Sequence, residues 1–267
     1  MPEAIDRGEG RHLFGVDPQA YDRARPPYPA RVYEMLCDRL GLREGSRTLE
    51  IGAGTGLATA ELVARGAHVV AVEPDARLAK TLRERVRPQS RVEIIESTFE
   101  AAEFAGERFD LAVSATAFHW LPEESALAKV RQVLRPGGGV ALWWQIFGDA
   151  ERPDPFHEAT AARLESLGRS PSAGQSGRPK HALDREARTQ ALERAGFDDV
   201  WHEQIAWTHE FDAAQLRDLY ASFTAVARLP EDERCAVLDF IEGSARRQFG
   251  GRVVRPMLTS IYTARAP

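Results

Sequence analysis

Short apolar runs alternate with amphipathic stretches along the first half of the chain. Arg47–Ile51, His68–Val72, Val92–Ile95, Phe109–Ser114 and Val140–Trp144 are too apolar to have a wet face, so they read as strands of a sheet covered on both sides. Leu57–Arg65, Ala76–Val86 and Glu123–Val133 fall between them and carry apolar residues at helical spacing. Upstream, Ala20–Arg25 reads as a short helix stopped by Pro26 and Pro27. Ala30–Leu40 places Val32, Met35, Leu36 and Leu40 on one helical face. Arg135-Pro136-Gly137-Gly138-Gly139 reads as a turn.

The second half is less regular. Phe156–Leu167, Arg185–Ala195, Ala213–Phe223 and Glu231–Phe249 read as helices. Val200–Phe211 and Met257–Ala264 complete the set of strands. The stretch Gly168–Lys180, rich in glycine, serine and proline, reads as a loop, and Met1–Pro18 as a polar, mobile tail. The rhythm predicts an α/β fold: a doubly wound, mostly parallel seven-stranded sheet with helical additions over the ligand edge. Ligands in such sheets bind beyond the strand C-termini, where strand order reverses.

Leu49-Glu50-Ile51-Gly52-Ala53-Gly54-Thr55-Gly56 sits where such a ligand would lie, after a strand and before a helix. Glycine lets the chain turn sharply and lets a ligand approach the backbone. The helix from Leu57 offers unpaired N–H groups to an anion. A dinucleotide fingerprint, G-x-G-x-x-G, needs glycine at position 57 or 59, and the chain has Leu57 and Thr59. The register therefore disfavours a nicotinamide oxidoreductase. Glu73 ends the second strand about twenty residues later, where an acid would accept hydrogen bonds from a ribose diol.

The E-x-G-x-G-x-G run resembles the first motif of class I methyltransferases that use S-adenosylmethionine. Other segments extend the resemblance from about Ala20 to Trp144. Ala115-Thr116-Ala117-Phe118-His119-Trp120 is similar to the A-x-A-F-H-W run of a small-molecule branch that includes enzymes esterifying aconitate. Leu134-Arg135-Pro136-Gly137-Gly138-Gly139 resembles the family's turn before the fifth strand. Tyr21-Asp22-Arg23-Ala24-Arg25-Pro26-Pro27-Tyr28-Pro29 resembles that branch's N-terminal segment, which folds over the cofactor.

The resemblance implies a Rossmann-like methyltransferase fold, S-adenosyl-L-methionine as cofactor, residues 1–29 as a lid, and residues 30–267 as the methyltransferase domain, with 150–250 covering the acceptor pocket. It implies cofactor contacts at Tyr21, Arg25, Glu50, Gly52, Gly54, Gly56, Glu73, Thr98, Phe99 and Ala115. Thr98 departs from the family, which often has an acid there for the adenine amino group. Phe99 either stacks on adenine or packs in the core. Arg25 either pairs with the methionyl carboxylate or is solvated.

His119 is the candidate catalytic residue, either as a general base or as a pocket wall. A carboxylate acceptor needs no base, whereas a hydroxyl does. Of Trp143 and Trp144, alternation sends one into the core and leaves the other for the acceptor pocket. The remaining histidines show no ligand spacing, so no metal is expected.

Composition narrows the partners. Lys plus Arg is 35 against 40 Asp plus Glu, a net charge of -5. With no basic run, nucleic acid is not an expected partner. No apolar stretch is long enough for a membrane, and the N-terminus lacks a signal sequence. Two distant cysteines fit a reducing cytoplasm. The expected function is methyl transfer to a small organic carboxylate or hydroxyl. The alternative is a protein of this fold that binds the cofactor without turnover, since the chemistry asks little of the protein.

Overall fold

The computed structural model describes residues 18–87, 91–104, 106, 108–164 and 180–267. The expected tail up to 17 and the expected loop over 168–179 lie outside them. In chain order the elements are α1 (Pro18–Ala24), α2 (Ala30–Leu40), β1 (Arg47–Ile51), α3 (Leu57–Ala64), β2 (His68–Val72), α4 (Ala76–Val86), β3 (Val92–Ile95), β4 (Phe109–Ala115), α5 (Glu123–Val133), β5 (Leu134–Phe147), α6 (Pro155–Leu164), α7 (Arg185–Arg194), β6 (Asp198–Asp212), α8 (Ala213–Ala221), α9 (Thr224–Ala227), α10 (Glu231–Phe249) and β7 (Arg252–Arg265).

Local chemistry explains many boundaries. Gly41, at φ 75°, ends α2, with its N–H donating to the Cys37 carbonyl and the Leu42 N–H to that of Leu36. The Asp75 side chain caps α4 by accepting from the Arg77 N–H. Asp212 and Gln215 form a capping box at α8.

The seven strands form one sheet in the order β3-β2-β1-β4-β5-β7-β6. β1 to β5 are parallel, and β7 runs antiparallel to both β5 and β6. Strand order therefore reverses between β1 and β4, which opens a crevice at their C-terminal ends. Alternation along each strand divides the core. Leu49, Ile51, Val70, Val72, Ala112 and Leu142 face one helical layer. Val69, Ala71, Leu111, Val113 and Ala141 face the other, against α2 and α3. A third cluster joins α1, α6, α8 and α10 to one end of the antiparallel β6–β7 pair and holds the helical cover in place. Inside it Asp154 accepts twice from the buried Arg255, at 3.0 and 2.7 Å.

Two expectations are corrected. The Arg135–Gly139 segment is part of β5. Leu134 pairs with Phe109 and Gly139 with Leu111, so the extra residues form a bulge within the strand. The Gly137 N–H donates to the Ala266 carbonyl, and the Ala266 N–H donates to Gly138, which pins the bulge. β7 begins at Arg252, ahead of the expected Met257. β5 ends opposite Met257, so Pro256 within β7 has a strand on one side only and its missing donor costs no ladder bond.

Candidate functional site

β1 and β4 deliver two loops that meet at the crevice. Gly52 has φ 73°, and a Cβ there would come within 2.5 Å of Ala117 Cβ, so the two loops touch only because residue 52 is glycine. Gly54, at φ 59°, has open space where its Cβ would be. The cleft beyond it has an empty volume of about 750 Å³, open water included. Its walls include Tyr21 from α1, Gly52 and Gly54, Glu73 at the end of β2, Leu78 from α4, Thr98, Phe99 and Glu100 after β3, and Ala115, Trp120 and Leu121 after β4.

Glu73 is 5% exposed, and both its oxygens accept from backbone N–H groups. Oε2 accepts from Gly54 at 2.8 Å and Oε1 from Asp75 at 2.9 Å. Burial pushes its carboxyl up to about 7, while those two bonds pull the other way. A buried acid with a raised pKa at a ligand edge makes this cleft the candidate site.

Glu50 is more deeply buried and does not line the cleft. The Thr59 hydroxyl donates to its Oε2 at 2.6 Å. Its Oε1 has no hydrogen-bond partner among the described residues, and burial pushes the carboxyl up to about 8.

Several expected contacts stand elsewhere. Gly56 caps α3 in the left-handed conformation, and a Cβ on it would come within 2.5 Å of Leu82 Cδ1, so it serves helix packing. Arg25 lies outside the lining, its guanidinium over the rings of Tyr21, Phe147 and Phe223 at 4.9 to 5.5 Å. Its Nη2 donates to Ser222 Oγ at 3.1 Å. Phe99 is buried in the core and also lines the cleft.

His119 is buried in a 3₁₀ turn, Phe118–Trp120, outside the lining. The Trp144 Nε1–H donates to His119 Nδ1 at 3.0 Å. Trp143 and Trp144 are both buried, on opposite faces of the sheet, so neither is left over for the pocket. Among the described residues no group of His, Cys, Asp and Glu is placed to hold a metal ion.

Some residues at the cleft escaped sequence reasoning. Trp120 ends the A-x-A-F-H-W run and Leu121 follows it, and the distance past β4 was the available signal. Thr116 also lines the cleft, at φ 55°, a region costly for a β-branched residue. Its hydroxyl accepts from Tyr28 OH at 3.2 Å and from the Gln145 N–H at 3.3 Å, contacts that hold it there. The Gln145 side chain in turn donates to the Pro26 and Pro27 carbonyls at 3.1 and 3.0 Å, fastening the N-terminal segment to β5.

Comparison with known proteins agrees with this geometry. The family model for a methyltransferase domain matches residues 49–142, from β1 into β5. An uncharacterized methyltransferase of Mycobacterium tuberculosis is 30% identical over 226 residues, covering 85% of this chain and 82% of that protein. The chain belongs to the methyltransferase family. This methyltransferase is also 27% identical over 222 residues to an uncharacterized methyltransferase of Schizosaccharomyces pombe, covering 83% of this chain and 82% of that one. Its fold is shared with phosphoethanolamine N-methyltransferase 2 of Haemonchus contortus in complex with S-adenosylhomocysteine. That likeness has a TM-score of 0.57 at 17% identity and covers 97% of this chain and 60% of the other. The methyltransferase is S-adenosylmethionine-dependent, of class I. Among the described residues no helix is long and apolar enough to cross a membrane.

The residues present fit that cofactor. Gly54 leaves backbone and space for a ligand, the buried Glu73 offers acceptors to a diol, and apolar walls from Leu78, Phe99, Trp120 and Leu121 suit a flat base.

Proposed function

We propose that this enzyme methylates a small organic molecule bearing a carboxylate or a hydroxyl, within the cytoplasm. The observation that carries the site is the Gly54–Glu73 hydrogen bond, which places a buried acid beside an open glycine turn. In this reading Glu73 accepts from the ribose hydroxyls. Thr98 and Phe99 bound the adenine, and Gly52, Gly54, Ala115 and Tyr21 bound the rest of the cofactor. Glu50 and Gly56 act from behind, bracing the turn through Thr59 and Leu82. The free thiols of Cys37 and Cys235 agree with a reducing compartment.

The sulfonium supplies an activated methyl group, so the protein's work is alignment and exclusion of water. Residues 18–29 serve as part of a lid. Asp22 pairs with Arg85 of α4, and Arg23 with Asp218 of α8 at 3.1 Å, so α1 bridges the cofactor half and the helical cover. Arg25 backs Tyr21 by its ring contacts. Residues 150–164 and 180–250 of the cover bound the acceptor.

Calorimetry with S-adenosylhomocysteine and with NAD tests the cofactor reading, and transfer of a labelled methyl group to a panel of small carboxylates and phenols tests the acceptor class. Tight NAD binding, or no transfer to any member, counts against it. Saturating S-adenosylhomocysteine should also protect the bond after Arg23 from trypsin; equal cleavage with and without ligand removes the lid.

His119 acts in this reading from behind the pocket wall, its ring 4.9 Å from that of Trp120, which lines the cleft. A neutral imidazole that accepts at Nδ1 carries its proton on Nε2, which leaves neither nitrogen ready to take one. His119→Ala is expected to raise the acceptor KM with little change in kcat or in cofactor affinity. A fall in kcat of about 10²–10⁴ with KM unchanged restores the general base.

A further inference from the structure

The wall formed by Thr98, Phe99 and Glu100 has no strand or helix to hold it. A turn begins it: the Thr98 carbonyl accepts from the Ala101 and Ala102 N–H groups at 3.2 and 2.9 Å. The following carbonyls converge on a single donor. Lys129 Nζ donates to Phe99 at 2.7 Å, to Glu100 at 3.0 Å and to Ala102 at 2.6 Å. An ammonium has three protons, and three carbonyls take them all.

Nζ also lies 5.1 Å over the Phe99 ring and 5.5 Å over that of Phe104. Lys129 reaches the loop from α5, which Leu127 and Val130 anchor in the core. With those carbonyls committed, and with Thr98 Oγ1 accepting from Ala101 at 3.3 Å, the Thr98 hydroxyl keeps a proton to give.

We propose that Lys129 is a positioning residue of the cofactor site, which shapes the 98–100 wall and thereby sets its affinity and its choice of nucleobase. It touches neither cofactor nor acceptor. The inference rests on the base lying against this wall, as proposed above. A hydroxyl whose Oγ1 already accepts once favours adenine, whose N1 takes its proton, over hypoxanthine, whose N1 donates and is left the one remaining lone pair.

The test compares S-adenosylhomocysteine with S-inosylhomocysteine by calorimetry on the full chain. The wild type is expected to prefer the adenosine ligand. Lys129→Met keeps the stem and removes the three bonds. It should weaken S-adenosylhomocysteine about tenfold or more and bring the two ligands close to parity. Lys129→Arg should recover affinity and preference only in part, because a planar guanidinium cannot serve the same three carbonyls.

General destabilisation would weaken both ligands alike and leave the preference standing, and that result overturns the proposal. So does a folded Lys129→Met that binds as the wild type does. A wild type without preference overturns the base placement, and the inference with it. If Lys129→Met does not fold, Lys129→Gln takes its place, with a loss larger than that of Lys129→Arg; a full recovery in Lys129→Gln refutes the role.

Discussion

Gly54→Val is expected to abolish S-adenosylhomocysteine binding while the protein still folds. The wild-type backbone holds residue 54 at φ 59°, and among the described residues no atom beyond its two chain neighbours lies within 4 Å of a Cβ built there. The variant therefore meets no clash inside the fold. It meets a backbone conformation that costs a β-branched residue about 1–3 kcal/mol, and it projects a side chain into the cleft. Relaxing that backbone also pulls the residue 54 N–H away from Glu73 Oε2. Gly52→Val provides the contrast, because its Cβ would collide with Ala117 and part the β1 and β4 loops. Circular dichroism and a thermal melt report folding, and calorimetry reports binding. A folded Gly54→Val that binds normally would show that the glycine turn is not the cofactor loop.

Replacing Glu73 should be nearly as damaging, and the loss should depend on pH. Glu73→Ala removes two acceptors of ribose hydrogen bonds, each about 1.5–3 kcal/mol when a charged group takes part, so a loss of at least about tenfold is expected. In the ligand-free protein, burial raises the carboxyl from 4.5 to about 7. Between those values the folded state holds more protons than the unfolded state, so this group's contribution to stability falls as pH rises from 4.5 to about 7. Glu50 adds the same trend up to about 8.

Binding responds in the opposite sense. Ribose hydroxyls favour the ionised carboxylate, so binding releases a proton and tightens as pH rises through about 7. Glu73→Ala should flatten that rise. Calorimetry in two buffers of different ionisation enthalpy measures the proton. Its uptake, or an unchanged dissociation constant in the variant, would remove Glu73 from the ribose.

What could be read from the sequence follows the range of the interactions involved. Ala30–Leu40, Ala76–Val86 and Glu123–Val133 were legible to the residue, because helical spacing and neighbouring caps or prolines define them locally. The glycine turn and Glu73 were legible because their spacing follows from a strand, a turn and a helix. The glycines at 137–139 misled because a bulge and a turn need the same backbone freedom, and only the far end of β7 decides between them. Arg25 and His119 carry suitable chemistry, but their neighbours come from Phe147, Phe223 and Trp144, remote in the chain. Lys129 gave no signal at all, since a lysine on an amphipathic helix reads as solvated.

The position of β7 bears on how the chain is made. It lies between β5 and β6, although it is the last of the three in sequence. Until residue 265 has left the ribosome, β5 and β6 have no strand between them. The parallel strands β1 to β5 can pair in order of synthesis, while β6 must wait for strand insertion. That step joins segments far apart in the chain, which slows folding. During the wait β5 presents an apolar edge, the surface a chaperone would hold and a neighbouring nascent chain would capture.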